Sequence, residues 1–145
     1  MRYLICAFFP LFLCVSGSHL FASESLSTDE MRKLFTEKTV EGEQREYEEP
    51  GGGFTGKLSN FVENFVSYFA EDGTIKQQIG EEQRTGKWRV TESGKLCIEW
   101  EGKKKKCTPV YKEGDIYKRV TKNKMGRELM EIKFIRFIPG NKYDL

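Results

Sequence analysis

The side chains that most often carry catalysis are scarce in this 145-residue chain, and several of them sit together at its start. The single histidine, His19, and two of the four cysteines, Cys6 and Cys14, fall within the first 22 residues. Those residues have the build of a secretory signal peptide. Met1-Arg2 is a minimal basic start, Tyr3 to Val15 an almost unbroken apolar run, and Ser16 to Ala22 a short exit of mostly small residues. The run is too short for a stable membrane span. Cleavage is expected after Ala22, with Leu20 and Ala22 in the specificity positions. Cys14 follows Leu11-Phe12-Leu13 and lacks the small preceding residue that a lipoprotein signal needs. Export then leaves Cys97 and Cys107, no histidine, and 23 basic residues against 22 acidic ones, since Arg2 is lost. Without histidine, the usual general base, nucleophile partner and zinc ligand are missing. The carboxylate pairs Glu81-Glu82 and Glu99/Glu101 lie in charged, turn-like surroundings. No catalytic residue, metal site or cofactor is expected, and the chain reads as a non-enzyme.

Two runs resemble binding motifs and fail on detail. Gly51-Gly52-Gly53-Phe54-Thr55-Gly56-Lys57 approaches a phosphate-binding loop. Leu58, however, stands where the magnesium-binding hydroxyl belongs, and no buried strand precedes the run. It reads as part of a long loop, 48–60, that could contact a partner. Lys103 to Lys106 is a basic run at a hairpin tip, readable as a solvated turn or as a contact for anionic headgroups or an acidic polymer. No alternating aromatics accompany it, and the exported chain is nearly neutral, so nucleic acid is not an expected partner.

What remains is a binding chemistry. In strands, residues two apart share a face. Trp88 then faces the same way as Gly86 and Val90, and Ile98 the same way as Leu96 and Trp100. Tyr68, Trp88, Ile98, Trp100, Tyr117 and Arg119 are the candidate lining of an interior pocket. Large aromatics at alternate positions also serve as plain core. Arg119 is open: if Tyr117 faces inward, so does Arg119, and a buried guanidinium needs a carboxylate or an anionic ligand. If Ile116, Lys118 and Val120 face inward instead, Arg119 is a solvated charge.

The elements that would position these residues are mostly strands. Ser27-Thr28-Asp29-Glu30 is a capping box that starts a short helix, with Met31, Leu34 and Phe35 on one face. Strands are expected at 39–47, 61–69, 74–79, 85–90, 95–100, 104–111, 116–121 and 127–138, separated by polar or glycine-bearing turns. The predicted fold is all-β: an eight-stranded antiparallel up-and-down barrel, with one short N-terminal helix, formed by residues 23–145 as a single domain. Closure removes the two exposed edges of an open meander and leaves room for side chains or one small ligand. A turn centred on Gly102 sets Cys97 directly opposite Cys107, with β-carbons about 4.5–5.5 Å apart, which predicts a disulfide. In the last strand Phe134, Ile135, Phe137 and Ile138 put apolar groups on both faces, so one face must meet the helix or form an interaction patch.

The run Tyr68 to Thr74, then Gly86-Lys87-Trp88, Leu96 to Trp100, Cys107, Gly114 to Tyr117 and Pro139-Gly140-Asn141 resembles a family of short exported bacterial proteins. That family is the domain of unknown function numbered nine hundred and ninety-five, and the resemblance extends to Leu34-Phe35 and Thr39-Val40-Glu41-Gly42. It implies a secreted or periplasmic, lipocalin-like β-domain with a hairpin disulfide, and brings no activity or site residues. Gly86-x-Trp88 is similar to the lipocalin signature, although that motif belongs on a first strand and here falls on the fourth. Two functions follow as expectations, with a hydrolase a distant third. One is a periplasmic binding module for a small apolar or anionic ligand. The other is an envelope protein-interaction or inhibitor-type module with a solid interior.

Overall fold

The computed structural model describes residues 23–47 and 59–145. The expected signal peptide and the glycine-rich run 51–57 therefore lie outside the described residues.

Helix α1 (Thr28–Phe35) begins as its sequence dictates. The Ser27 hydroxyl accepts from the Glu30 amide while the Glu30 carboxylate accepts from the Ser27 amide at 2.8 Å. The Ser27 hydroxyl also donates to that carboxylate at 2.7 Å, and this bond, with the one from the Ser27 amide, holds the Glu30 carboxyl below the usual carboxylate range. Eight residues are too few to stay helical alone, so packing must hold the helix. Met31 and Phe35 supply that packing, both fully buried.

Among the described residues all remaining regular structure is strand, and neighbours in the sheet are antiparallel. The strands are β1 (Glu24–Ser25), β2 (Lys38–Glu46), β3 (Glu63–Phe69), β4 (Thr74–Ile79), β5 (Glu82–Val90), β6 (Leu96–Trp100), β7 (Lys106–Thr108), β8 (Tyr111–Glu113), β9 (Ile116–Lys122) and β10 (Glu128–Pro139). They form one curled, half-barrel sheet in the order β1-β8-β9-β10-β2-β3-β4-β5-β6-β7. The last strand pairs with the first long one, from Met130↔Glu46 to Pro139↔Lys38. The break in the ladder instead falls between β7 and β8, which are consecutive in the chain.

Ten strands stand where eight were expected, for two reasons. The expected strand 104–111 is divided by Pro109, which has no amide hydrogen to give a ladder. Its first part, β7, pairs with β6, and its second part, β8, pairs with β9. The other addition is β1, where Ser25 pairs with Tyr111. A boundary also moves. Residues 80–84, expected as loop, are a turn only at Gly80-Glu81, with Gly80 at φ 57°, so Arg84 belongs to β5.

The doubly apolar last strand has a simple cause. Its register shifts between Phe134 and Arg136, the mark of a β-bulge. The bulge lets Phe134 and Phe137 both reach the interior, while Ile135 stays half exposed. Gly42, opposite Phe134 on β2, is required by closeness: a β-carbon there would run into the Lys133 carbonyl and the Phe65 ring.

Strand direction gives the curled sheet two ends. At one end α1 caps an apolar core of Leu26, Met31, Phe35, Val40, Phe69, Trp88, Leu96, Val110 and Phe134. Thr28 ties the helix to β5 through a 2.9 Å bond to the Thr91 carbonyl. At the opposite end stand Glu46, Trp100, Lys106 and Lys122, and there the interior turns polar.

Cys97 and Cys107 are directly opposed, with α-carbons 3.9 Å apart and sulfurs at bonding distance. The bridge ties short β7 to the sheet at its free edge. It closes a loop of 10 residues, so the double change Cys97→Ala/Cys107→Ala is expected to lower stability by about 2–3 kcal/mol. Urea unfolding of both proteins measures this, and a loss below about 1 kcal/mol would mean that β7 is held by packing alone.

Candidate functional site: a cationic cavity opposite the helix

A cavity of about 760 Å³ occupies the polar end. Its walls alternate apolar and polar groups in a way that follows from the strand period. On β3, Phe65 and Phe69 flank Ser67; on β4, Ile75 precedes Gln77; on β5, Arg84 is in phase with Gly86 and Trp88. Ile98, Trp100, Ile132 and Phe134 add apolar surface, and Gln44, Arg119 and Thr121 add polar groups.

Most of these polar groups satisfy one another. The Gln77 amide donates to the Ser67 hydroxyl at 2.9 Å, and its carbonyl accepts from Arg84 Nε at 2.7 Å and from Arg84 Nη2. The Arg84 guanidinium lies over the Trp100 ring, 4.1 Å from its centroid. Burial lowers the Arg84 pKa while the carboxylates of Glu63 and Glu82 act to raise it. Gln44 donates to Glu63 at 2.7 Å. Arg84 is thus held by Gln77 and Trp100, with no ion pair among the described residues.

Arg119 has no such answer. It is 2 % exposed, and its Nε and Nη1 have no hydrogen-bond partner among the described residues. Among the described residues no carboxylate forms an ion pair with it, and its pKa falls to about 10 from burial. A buried cation without a counter-charge is among the most costly arrangements a fold can keep. At the mouth three exposed lysines, Lys103, Lys104 and Lys106, stand with one exposed carboxylate, Glu46, so cations outnumber anions on the rim. Tyr47, also on the wall, has its pKa pushed up to about 12 by burial and by Glu128, so its hydroxyl keeps its proton.

The six predicted lining residues divide evenly. Ile98, Trp100 and Arg119 line the cavity. The other three do not, and each is corrected. Trp88 is core: its indole donates to the Ala70 carbonyl at 2.9 Å, and its ring meets Phe69 edge-on at 5.4 Å. Tyr68 points outward, where its hydroxyl donates to Glu37 at 2.8 Å. Tyr117 does face inward with Arg119, but it packs on Phe137 in the filled half. The alternation that placed Tyr117 inside is thus the one that buries Arg119.

Sequence reasoning missed Ser67, Gln77 and Arg84. A period-two signal was available for the first two, since each polar residue interrupts an apolar series. Arg84 was hidden by the misplaced loop. The candidate carboxylates Glu81, Glu82, Glu99 and Glu101 are exposed and face no cavity together. Among the described residues no group of three or more histidine, cysteine or carboxylate side chains could hold a metal ion.

Comparison with protein-family models, with curated proteins and with solved structures finds no match to this chain. The class is therefore defined by fold and site alone: a curled, disulfide-bonded β half-barrel whose interior is packed at the helix end and hollow at the other.

Proposed function

We propose that this is an exported, lipocalin-like binding module that holds a small amphipathic anion, with the anionic group on Arg119 and the apolar body against Trp100, Ile98 and Phe65. One observation carries the reading: a buried guanidinium, with no counter-charge among the described residues, lining a cavity of drug-ligand size. A carboxylate, sulfonate or phosphate offers Arg119 the planar, charge-assisted hydrogen bonds that the protein withholds. Arg84 and the rim lysines favour the same sign of ligand and repel a cationic one. The alternative of a solid-cored interaction module loses support from the hollow polar end. Secretion or a periplasmic location rests on residues 1–22 and on the disulfide, which an oxidising compartment preserves.

A charge series on one tail tests this. Decanoate, decanol and decyltrimethylammonium are titrated into the protein with Trp100 fluorescence and calorimetry as readouts. Decanoate is expected to bind well, decanol at least tenfold more weakly, and the cation not at all. Equal affinity for decanoate and decanol would remove Arg119 from the site, and binding of none would end the reading.

A further inference from the structure

The ladder of the curled sheet breaks beside the cavity, and basic residues gather along the break. Strand β7 pairs only with β6, and β8 covers β9 only from Ile116 to Lys118. From Arg119 to Lys122 the edge of β9 that faces β7 therefore has no ladder partner among the described residues. Two free strand edges confront each other there, and Arg119 belongs to one of them.

The hairpins at the ends of this seam share one character. The β6–β7 hairpin carries Lys103, Lys104, Lys105 and Lys106, all exposed, against Glu101. The β9–β10 hairpin carries Lys122, Lys124 and Arg127, with Lys122 paired to Glu128 at 3.6 Å. Exposed acidic residues on the rim are Glu46 on β2 and Glu81 and Glu82 on the β4–β5 turn, none of them on these two hairpin tips. The tip of the β9–β10 hairpin is also held stiffly. Asn123 Oδ1 accepts from the amides of Met125 and Arg127 at 2.9 and 3.0 Å, and Gly126 takes a positive φ of 78°. On that stiff tip Met125 is 71 % exposed, flanked by Lys124 and Arg127. An apolar side chain held out between cations suits a surface with anionic headgroups above and hydrocarbon below. An acidic protein or a nucleic acid would answer the lysines but not Met125.

We propose that the protein docks on anionic lipid bilayers through the β6–β7 and β9–β10 hairpins and takes up its ligand there through the seam between β7 and β9. Uptake rests on the anion-binding reading above; docking stands independently of it. Among the described residues no helix is long and apolar enough to cross a membrane, and docking of this kind needs none.

Sedimentation of the purified protein with vesicles provides the test. One set is phosphatidylcholine alone, and the other carries phosphatidylglycerol at about one lipid in three. The protein is expected to follow the anionic vesicles and to be released by salt. Lys105→Glu/Lys124→Glu/Arg127→Glu should weaken that partition by at least about tenfold, and Met125→Ser by a few-fold, with circular dichroism confirming the fold. Should the triple variant not fold, Lys124→Gln/Met125→Ser tests the same tip. None of these residues lines the cavity, so affinity for free decanoate should not change. Equal partition to both vesicle types, or unchanged partition of the variants, overturns docking. Binding of polyglutamate or an oligonucleotide as tightly as of anionic vesicles overturns the choice of lipid. Vesicle binding by a protein that ignores free decanoate sustains docking and overturns uptake.

Discussion

Replacing Arg119 by methionine is expected to make the empty protein more stable and the binding protein useless. The guanidinium is buried with two nitrogens unpartnered and no ion pair. Burial lowers its pKa from the ordinary guanidinium range to about 10, a difference on the order of 3 kcal/mol between folded and unfolded chains. The sign follows from linkage. Above pH 10, up to the ordinary guanidinium pKa, the unfolded chain holds a proton that the folded chain has released, so stability from this group rises with pH over that window. Below pH 10 the full penalty applies, and neutral pH lies well inside that region. Methionine fills similar space without the charge, so Arg119→Met should gain about 1–3 kcal/mol in urea unfolding at neutral pH. Decanoate affinity should fall about a hundredfold, because a charge-assisted contact to a desolvated guanidinium contributes roughly 2–5 kcal/mol when one partner is removed. Decanoate should raise the melting temperature of the native protein and leave the variant unmoved. A variant that is less stable and still binds decanoate would show that Arg119 has a structural partner, and the site would need another anchor.

Phe35→Ala should produce the largest loss of stability of any single change in the helix. Phe35 is fully buried, and its ring meets Phe69 at 4.9 Å, Phe134 at 5.0 Å and Phe137 at 5.4 Å. Those partners come from β3 and β10, so one side chain joins the helix to the strands on both sides of β2. Truncation removes the transfer free energy and leaves a void in a stiff aromatic cluster, for a loss of about 3–5 kcal/mol. The eight-residue helix has little stability of its own, so its packing should fail with the ring. Thermal and urea unfolding measure the loss, and hydrogen exchange at the α1 amides locates it. A loss below about 1.5 kcal/mol would mean that the sheet keeps its curl without the helix. Decanoate affinity distinguishes the two ends, since Phe35 does not line the cavity. It should change far less than in Arg119→Met.

Local signals settled a good part of this protein before any packing was known. The capping box, the helical face of Met31 and Phe35, most strand positions, and the opposition of Cys97 and Cys107 are short-range properties. Each depends on residues within one element or one hairpin, and each reads directly from residue type and spacing. Three features depended on the tertiary structure. Pro109 was visible, but that it would divide one strand between two partners required knowing that β6 and β9 lie on either side. The bulge at Phe134–Arg136 reverses the side-chain phase midway along β10, and period-two reasoning has no means of placing such a slip. Arg119 was left between two faces because Ile116, Tyr117, Lys118, Arg119 and Val120 alternate without a clear apolar side. The pairing of β9 with β10 decided it, by placing Arg119 beside Ile132 over the cavity. Residue types set what each strand can present to its two faces, and closure of the sheet set which face became the inside.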